Sequence, residues 1–421
     1  MKKNSLCSYP KLAINGGAKV RSTPWPARKL IGKEEKKAVD ALFDKAIASG
    51  NAFGYGGPEE EAFCQQFAKL MGGGYADAVN SGTTAVYVAL RALNIEPFTE
   101  IIVSPITDPG GMMPITMLNC IPIVADTAPG SFNVGAKQIE KMISPRTSAI
   151  VVAHLLGTPA DMNGIMRVAR KHHIPVVEDC AQSHGATING RLVGTFGDVA
   201  AFSTMFGKHF CTGGQGGVVY ARNKKIYQQA RRASDRGKPF GLPAGSTNCF
   251  ATLNYNLNDL AAVIGSVQLK KLPGIVRRRR QVIKRLEKGL SGIKAASFPP
   301  MIKGANPSLW YLRLRFHPEA VTCNKETYCK ALMAEGLGGL AVNYNAMPHT
   351  FDWFKNRRVF GTSKLPWSSP LYKGDPNRQF ACPNALAAIR NHFLLTIYES
   401  WGKREADDII NIFKKVEALC K

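Results

Sequence analysis

The stretch Phe202-Ser-Thr-Met-Phe-Gly-Lys208-His-Phe-Cys-Thr-Gly-Gly-Gln-Gly-Gly217 places one lysine between a serine five residues before it and a cluster of glycines just after it. Those glycines permit sharp turns and a close approach of the backbone to a ligand. A lysine held in such a place can act as a nucleophilic amine rather than as a solvated charge. The alternative is an ordinary surface lysine, because the chain contains 55 lysine and arginine residues.

A second stretch, Ile174-Pro-Val-Val-Glu-Asp179-Cys-Ala-Gln182-Ser-His-Gly185, is an apolar run that ends in an acidic pair. It predicts a buried parallel strand with Asp179 at its carboxyl end. Ligands of open α/β sheets bind at that edge, which makes Asp179 a candidate site residue. The alternative is a simple turn residue at the end of a strand.

A third stretch, Val79-Asn-Ser81-Gly82-Thr83-Thr84, precedes a helical pattern over residues 85–93. A Ser-Gly-Thr turn at a helix start presents free backbone N–H groups and a positive dipole end, which together suit a phosphate. An ordinary helix cap is also possible. A phosphate seat, a strand-end carboxylate and a lysine fit pyridoxal 5′-phosphate (PLP), which needs one group of each kind.

These motifs resemble the DegT/DnrJ/StrS family of PLP-dependent sugar aminotransferases, and the resemblance extends from about Leu12 to the last helix. It implies a fold type I PLP-transferase: a large α/β domain with a mostly parallel, seven-stranded type of sheet between helices, and a smaller α+β C-terminal domain. The motifs that carry it are Asn80–Thr83, Glu178–Gly185, Gly197-Asp198, Ser203 through Lys208, Leu253–Tyr255 and Ala261-Ala262.

The resemblance also implies roles for single residues. Lys208 would bind the cofactor covalently and later move a proton, while Asp179 would pair with the pyridine nitrogen. The remaining cofactor contacts would come from Gly82, Thr83, Gln182, Ser203 and Asn254. In relatives the asparagine at the Asn254 position reaches the phosphate of the neighbouring subunit, so a homodimer with shared active sites is expected. Substrate-side candidates are His184, Tyr55 and Asp108.

Several positions depart from the family pattern. Asp108 stands where many relatives have an aromatic residue stacked on the cofactor ring. Ser203-Thr-Met205 replaces Ser-Phe-His, Gly214-Gln215 replaces Gly-Glu, and Asn254-Tyr-Asn256 replaces Asn-Tyr-Arg. Since these changes spare the cofactor contacts, the cofactor chemistry is better supported than the substrate. Lys208 itself argues against the dehydratase branch, which has histidine there, although His209 is adjacent.

Composition narrows the class of protein. The 421 residues and 45% apolar content suit a large globular enzyme. The N-terminus lacks an apolar signal segment, no run is long enough to span a membrane, and the ten cysteines form no Cys-x-x-Cys. We therefore expect a cytoplasmic protein with neither a membrane partner nor a metal site.

The formal net charge of +25 would attract nucleic acid, an anionic surface or an acidic substrate such as a nucleotide sugar. Its densest run, Arg277–Arg280, lies in a predicted amphipathic helix without interleaved aromatics. We interpret these arginines as a solvated helix face and expect no nucleic-acid partner.

Strand-like and helical stretches alternate up to about residue 270, which predicts parallel strands joined by crossover helices. The pattern changes after Leu272-Pro273-Gly274. We predict a large PLP-binding domain over residues 1–272 and a small domain over 273–421.

The predicted function is transfer of an amino group from glutamate or glutamine to a keto sugar, usually nucleotide-linked, in polysaccharide or antibiotic sugar biosynthesis. One alternative is a cyclitol ketone as acceptor. Another is a non-catalytic family member that has a regulatory or polyanion-binding role, and a third is PLP chemistry other than transamination.

Overall fold

The structure, a computed structural model, describes residues 11–344 and 346–419. Within them, seven strands form one sheet in the order β1-β9-β8-β5-β4-β2-β3. Their bounds are β1 Tyr75–Val79, β2 Glu100–Val103, β3 Ile121–Val124, β4 Thr147–Ala153, β5 Val176–Asp179, β8 Val199–Ser203 and β9 Gly217–Ala221. All neighbours are parallel except those of β9, which runs antiparallel to both β1 and β8. The expected mostly parallel sheet is confirmed.

The strands are buried on both faces because helices cover the sheet, and they therefore lack polar–apolar alternation. The α-helices of the first half of the chain are α1 Lys33–Ser49, α2 Pro58–Leu70, α3 Gly82–Ala92, α4 Met113–Met117, α5 Ala136–Glu140, α6 Met162–Lys171 and α7 Lys224–Ser234. The sequence patterns predict neither the strand β1 nor the helix α7.

The second half of the chain begins with α8, Asp259–Leu290, a helix of 32 residues that continues through Pro273. The predicted domain boundary after residue 272 therefore falls inside this helix, and the division into two domains remains a prediction. The later helices are α9 Lys325–Ala334, α10 Asp352–Lys355, α11 Pro383–Arg390 and α12 Lys403–Leu419.

A four-stranded antiparallel sheet, in the order β10-β12-β14-β13, packs with α9, α12 and part of α8 around a second core. A small sheet, β11-β6-β7, links the two halves of the chain. The strand bounds are β6 Thr187–Ile188, β7 Arg191–Leu192, β10 Ala296–Ser297, β11 Ala305–Asn306, β12 Tyr311–Phe316, β13 Leu340–Ala341 and β14 His392–Thr396.

The arginine run of α8 is not a uniformly solvated face, and that interpretation was wrong. Arg279 is fully buried, where its guanidinium pairs with Glu399 at 2.8 Å. Arg280 is half-buried and donates to the backbone oxygens of Gly185, Asn306 and Pro307. The spacing of the apolar residues assigned the arginines to the solvent face of the helix. It could not show that an arginine can be buried when its N–H groups have acceptors.

None of the described helices is long and apolar enough to cross a membrane. The prediction that the N-terminus has no signal segment concerns residues 1–10. These residues lie outside the described part of the chain.

Candidate active site

The candidate residues meet at the carboxyl ends of the parallel strands. Asp179 is the last residue of β5, and Ser203 is the last residue of the adjacent β8. Lys208 lies in the turn between β8 and β9, and Gly82 begins α3 nearby. This edge is where ligands bind in open α/β sheets.

Lys208 is only 7% exposed and forms no ion pair with a described carboxylate. Its Nζ lies 3.8 Å from the centroid of the Trp310 ring. Burial lowers the pKa of Lys208 to about 8, against the opposing influence of Asp179 and Asp108. A substantial fraction of the amine is therefore unprotonated near pH 8, whereas an ordinary lysine is almost fully protonated there, and a nucleophile or base needs this unprotonated form.

The backbone around Lys208 is fixed by partners distant in sequence. Arg28 donates to the carbonyl oxygens of Lys208 and His209 at 2.6 and 3.0 Å. The indole N–H of Trp310 donates to the Gly207 carbonyl at 2.7 Å. These bonds restrict the turn and therefore the direction of the lysine side chain.

Asp179 is buried, and one of its oxygens accepts the backbone N–H of Ala181 at 3.0 Å. Burial raises the pKa of Asp179, while Ala181 and Lys208 oppose the rise. A Cβ at position 111 would lie 2.5 Å from the Thr107 hydroxyl and 2.9 Å from the Asp179 carboxylate, so a larger residue than Gly111 would displace these side chains. A buried carboxylate without an ion-pair partner favours a positively charged ligand atom beside it.

The start of α3 comes very close to the end of β8. A Cβ on Gly82 would lie 2.5 Å from the Ser203 Cβ, so only glycine allows this approach. Ser81 caps the helix by accepting the backbone N–H of Thr84. Thr83 is exposed at the same end. Hydroxyls of Ser203 and Thr83 thus accompany a helix N-terminus, as an anion seat requires.

Gln182 has a defined orientation beside these residues. Its side-chain oxygen accepts the backbone N–H of Leu156 at 2.8 Å, and its amide nitrogen lies 3.4 Å from the Tyr344 hydroxyl. Burial raises the pKa of Tyr344 to about 12, so the hydroxyl keeps its proton.

Asp108 lies on the same side, before a short 3₁₀ turn at Pro109–Gly111. Its carboxylate accepts the backbone N–H of Gly110 at 2.8 Å and raises the pKa of Lys208. Asp108 therefore supplies charge close to the lysine in place of the expected aromatic ring.

Asn254 and Tyr55 form a separate exposed group. Arg236 joins them: it donates to the Tyr55 hydroxyl at 2.6 Å and pairs with Asp235, whose backbone bridges to Asn254. Among the described contacts, neither Tyr55 nor Asn254 touches Lys208 or Asp179. Within one protomer, therefore, Tyr55 and Asn254 do not contact the lysine as a site residue would.

His184 is 1% exposed and lies against Phe202, His209 and Phe210. Burial lowers the pKa of His184 to about 3, so the ring is neutral. Its assignment to the substrate side remains a prediction that this enclosed position does not favour.

Trp310, Tyr344 and Arg28 are contacts of the site that the sequence interpretation did not include. All three come from segments that are far from the lysine motif in the sequence. The pattern around Trp310 predicts the start of a strand and gives no sign of a functional role. An alignment of relatives, rather than any local pattern, would have been needed to find them.

Three buried groups with metal-binding side chains, His154, Glu178 and Cys180, also lie close together. One His154 nitrogen pairs with Glu178 at 3.1 Å, and the other accepts the Ala160 N–H. Glu178 additionally accepts the backbone N–H groups of Gly194, Phe196 and Gly197. These hydrogen bonds already use both His154 nitrogens and both Glu178 oxygens, and they support the strand ends.

The residues fit the cofactor that the sequence suggests. The buried Lys208 amine, the buried Asp179 carboxylate without a cation, and the hydroxyl-rich N-terminus of α3 match the aldehyde, ring nitrogen and phosphate of PLP. The fold and this set of groups define the class of protein, a fold type I aminotransferase.

The chain belongs to the DegT/DnrJ/EryC1/StrS aminotransferase family, whose sequence model matches residues 30–414. A putative L-glutamine:3-amino-2,3-dideoxy-scyllo-inosose aminotransferase of Micromonospora echinospora is 29% identical over 78% of this chain and 78% of its own length. GDP-perosamine synthase of Caulobacter vibrioides is 31% identical over 74% of this chain and 81% of its own length. An aminotransferase structure from Psychrobacter cryohalolentis covers 94% of this chain and 99% of its own, with a TM-score of 0.81 and 23% identity. PLP is the cofactor that this family implies.

Proposed function

We propose that this protein transfers an amino group from glutamate or glutamine to the carbonyl of a keto sugar, using PLP held by Lys208. The observation that carries the proposal is the buried Lys208 amine, which lies beside the strand-end carboxylate of Asp179 without pairing to it. PLP, when bound, supplies an electron sink for the substrate carbon.

The protein's own groups would do the remaining work. Asp179 would keep the ring nitrogen protonated, and Gln182 would orient the ring hydroxyl. Gly82, Thr83 and Ser203 would hold the phosphate. The Lys208 Nζ would take a proton from the donor carbon and return it at a second position, a transfer suited to a pKa of about 8. Trp310 would shield that nitrogen from water.

Two acceptor classes are supported by relatives. GDP-perosamine synthase is named for a nucleotide sugar, and the scyllo-inosose aminotransferase for a cyclitol. The charge of +25 favours a diphosphate-linked keto sugar as our first choice. A non-catalytic polyanion-binding role has little support, because two of the four arginines in the densest basic run are engaged inside the protein.

We further propose a homodimer in the cytoplasm, with Asn254 reaching the phosphate seat of the partner. Asn254 is exposed, and the adjacent Leu253 is 66% exposed. Tyr255 beside it accepts the backbone N–H of Asn80. An exposed leucine beside a site suggests that a second copy covers it.

A heterodimer experiment tests the shared site. Lys208→Ala and Asn254→Ala chains, each inactive or weak alone, are mixed, dissociated and reassociated. If Asn254 acts across the interface, the mixed dimers contain one intact site and recover part of the activity. If Asn254 acts within its own chain, no mixed site is intact and no activity returns.

The function itself is tested by two half-reactions. The PLP-loaded protein is incubated with glutamate, glutamine or alanine, and loss of its visible absorption is followed. The aminated form is then offered a nucleotide-linked 4-keto-6-deoxy sugar and, separately, 2-deoxy-scyllo-inosose. Recovery of absorption with only one acceptor identifies the acceptor class, and the absence of amino transfer from every donor would contradict the proposal.

A further inference from the structure

A cavity of about 220 Å³ lies beside the Lys208 turn, between α2, α8 and β8. Its walls are apolar and include Phe67, Phe202, Leu272 and Val276. The polar side chains that line it are His184 and Arg280, whereas Lys208 and Asp179 do not contribute. The cavity is thus separate from the proposed cofactor site.

The hydrogen bonds of two histidines determine what His184 presents to the cavity. The His209 Nε2 lies 3.3 Å from the Ser308 carbonyl, which can only accept, so this nitrogen carries a proton. Burial lowers the pKa of His209 well below its usual value, and the neutral ring therefore has a lone pair on Nδ1. The His184 Nδ1 lies 3.4 Å away and is the nitrogen placed to donate to it, and the Ser203 backbone carbonyl is a second acceptor near the same ring.

With the ring proton on Nδ1, the Nε2 of His184 is a hydrogen-bond acceptor. This nitrogen is buried and has no hydrogen-bond partner in the described part of the chain. A buried acceptor without a donor costs free energy, and a ligand or water that donates a hydrogen bond would remove the cost.

Arg280 provides the second polar group. Its Nε and Nη2 donate to three backbone oxygens, but it forms no ion pair with any carboxylate of the described residues. Burial lowers the pKa of Arg280. An anionic group near this guanidinium would therefore be stabilised.

We propose that this cavity binds a small aromatic hydroxy acid, whose hydroxyl donates to the His184 Nε2 and whose carboxylate contacts Arg280. The volume is sufficient, since an engineered apolar cavity of about 150 Å³ binds benzene. Through His184 and His209, the ligand would contact the turn that carries Lys208, so the cavity offers a route for controlling the aminotransferase.

Calorimetric titration of the full chain without added PLP tests the site independently of the transamination proposal. The probes are 4-hydroxybenzoate, benzoate and phenol. We expect saturable binding of 4-hydroxybenzoate and at least tenfold weaker binding of benzoate, which lacks the donor, and of phenol, which lacks the acid. Equal affinity for 4-hydroxybenzoate and benzoate, or no saturable binding, would overturn the proposal and leave water as the partner of His184.

Variants locate the binding. His184→Phe and Arg280→Gln should each weaken 4-hydroxybenzoate binding at least tenfold, whereas Arg277→Gln, an exposed neighbour on α8, should not. Unchanged binding in both test variants would place the ligand elsewhere. If Arg280→Gln instead dissociates the protein on size exclusion, a second copy covers the cavity and the proposal is wrong. The ligand series on the unmodified chain decides the matter even if a variant fails to fold.

Discussion

The Nζ of Lys208 lies 3.8 Å from the centroid of the Trp310 ring, on the face of the indole. Trp310 comes just before β12, so the second half of the chain closes over a lysine presented by the first half. The ring both excludes water from the amine and attracts its charged form. Burial lowers the pKa of Lys208 to about 8, although the nearby carboxylates of Asp179 and Asp108 act in the opposite direction.

Trp310→Ala should raise the pKa of Lys208 from about 8 towards its ordinary value of 10.5, because water would reach the amine. The pH dependence of PLP uptake by the cofactor-free protein measures this, since only the neutral amine reacts. Trp353→Ala is the control, because that ring packs on Phe354 instead. An unchanged profile in Trp310→Ala would show that the ring does not shield the amine.

Asp108→Asn should move the same profile in the opposite direction. The Asp108 carboxylate raises the pKa of Lys208, so removing its charge should lower that pKa below about 8. Asp161→Asn serves as a control, since Asp161 caps α6 away from the lysine. A shift to higher pH would mean that Asp108 acts on Lys208 by something other than its charge.

Glu60 makes stability depend on pH. Burial raises the pKa of Glu60 from 4.5 to about 7. Between these values the folded chain retains a proton that the unfolded chain has lost, so the free energy of unfolding should fall as the pH rises. Glu60→Gln should flatten this part of the curve, measured by urea unfolding at several pH values. Glu61→Gln, its exposed neighbour, should leave the slope as it is.

Glu399→Gln should lower the free energy of unfolding by about 3 kcal/mol, because it leaves the buried Arg279 without its counter-charge. Asp407→Asn breaks the exposed pair with Arg285 on the same helix and should cost less than about 1 kcal/mol. Urea unfolding of the two variants gives the comparison. Equal losses would contradict the structural role assigned to Glu399.

The parallel strands, and the placement of Lys208 and Asp179 at the same edge of the sheet, could be predicted from sequence because each depends on a local pattern. β5, for example, is an apolar run that ends at Asp179. By contrast, burial of Arg279 depends on Glu399, which is 120 residues away. The position of Trp310 over the lysine depends in the same way on packing between distant segments. α8 also continues through Pro273, because tertiary contacts outweigh the local preference against proline.

The most direct test of the account is the visible spectrum of the purified protein with PLP, for the unmodified chain, Lys208→Ala and the exposed-lysine control Lys224→Ala. The unmodified chain and the control should be yellow and should lose the colour on addition of glutamate. Lys208→Ala should show neither the protein-bound colour nor the loss. If Lys208→Ala keeps both, Lys208 is not the lysine that binds the cofactor and the site proposed here is wrong.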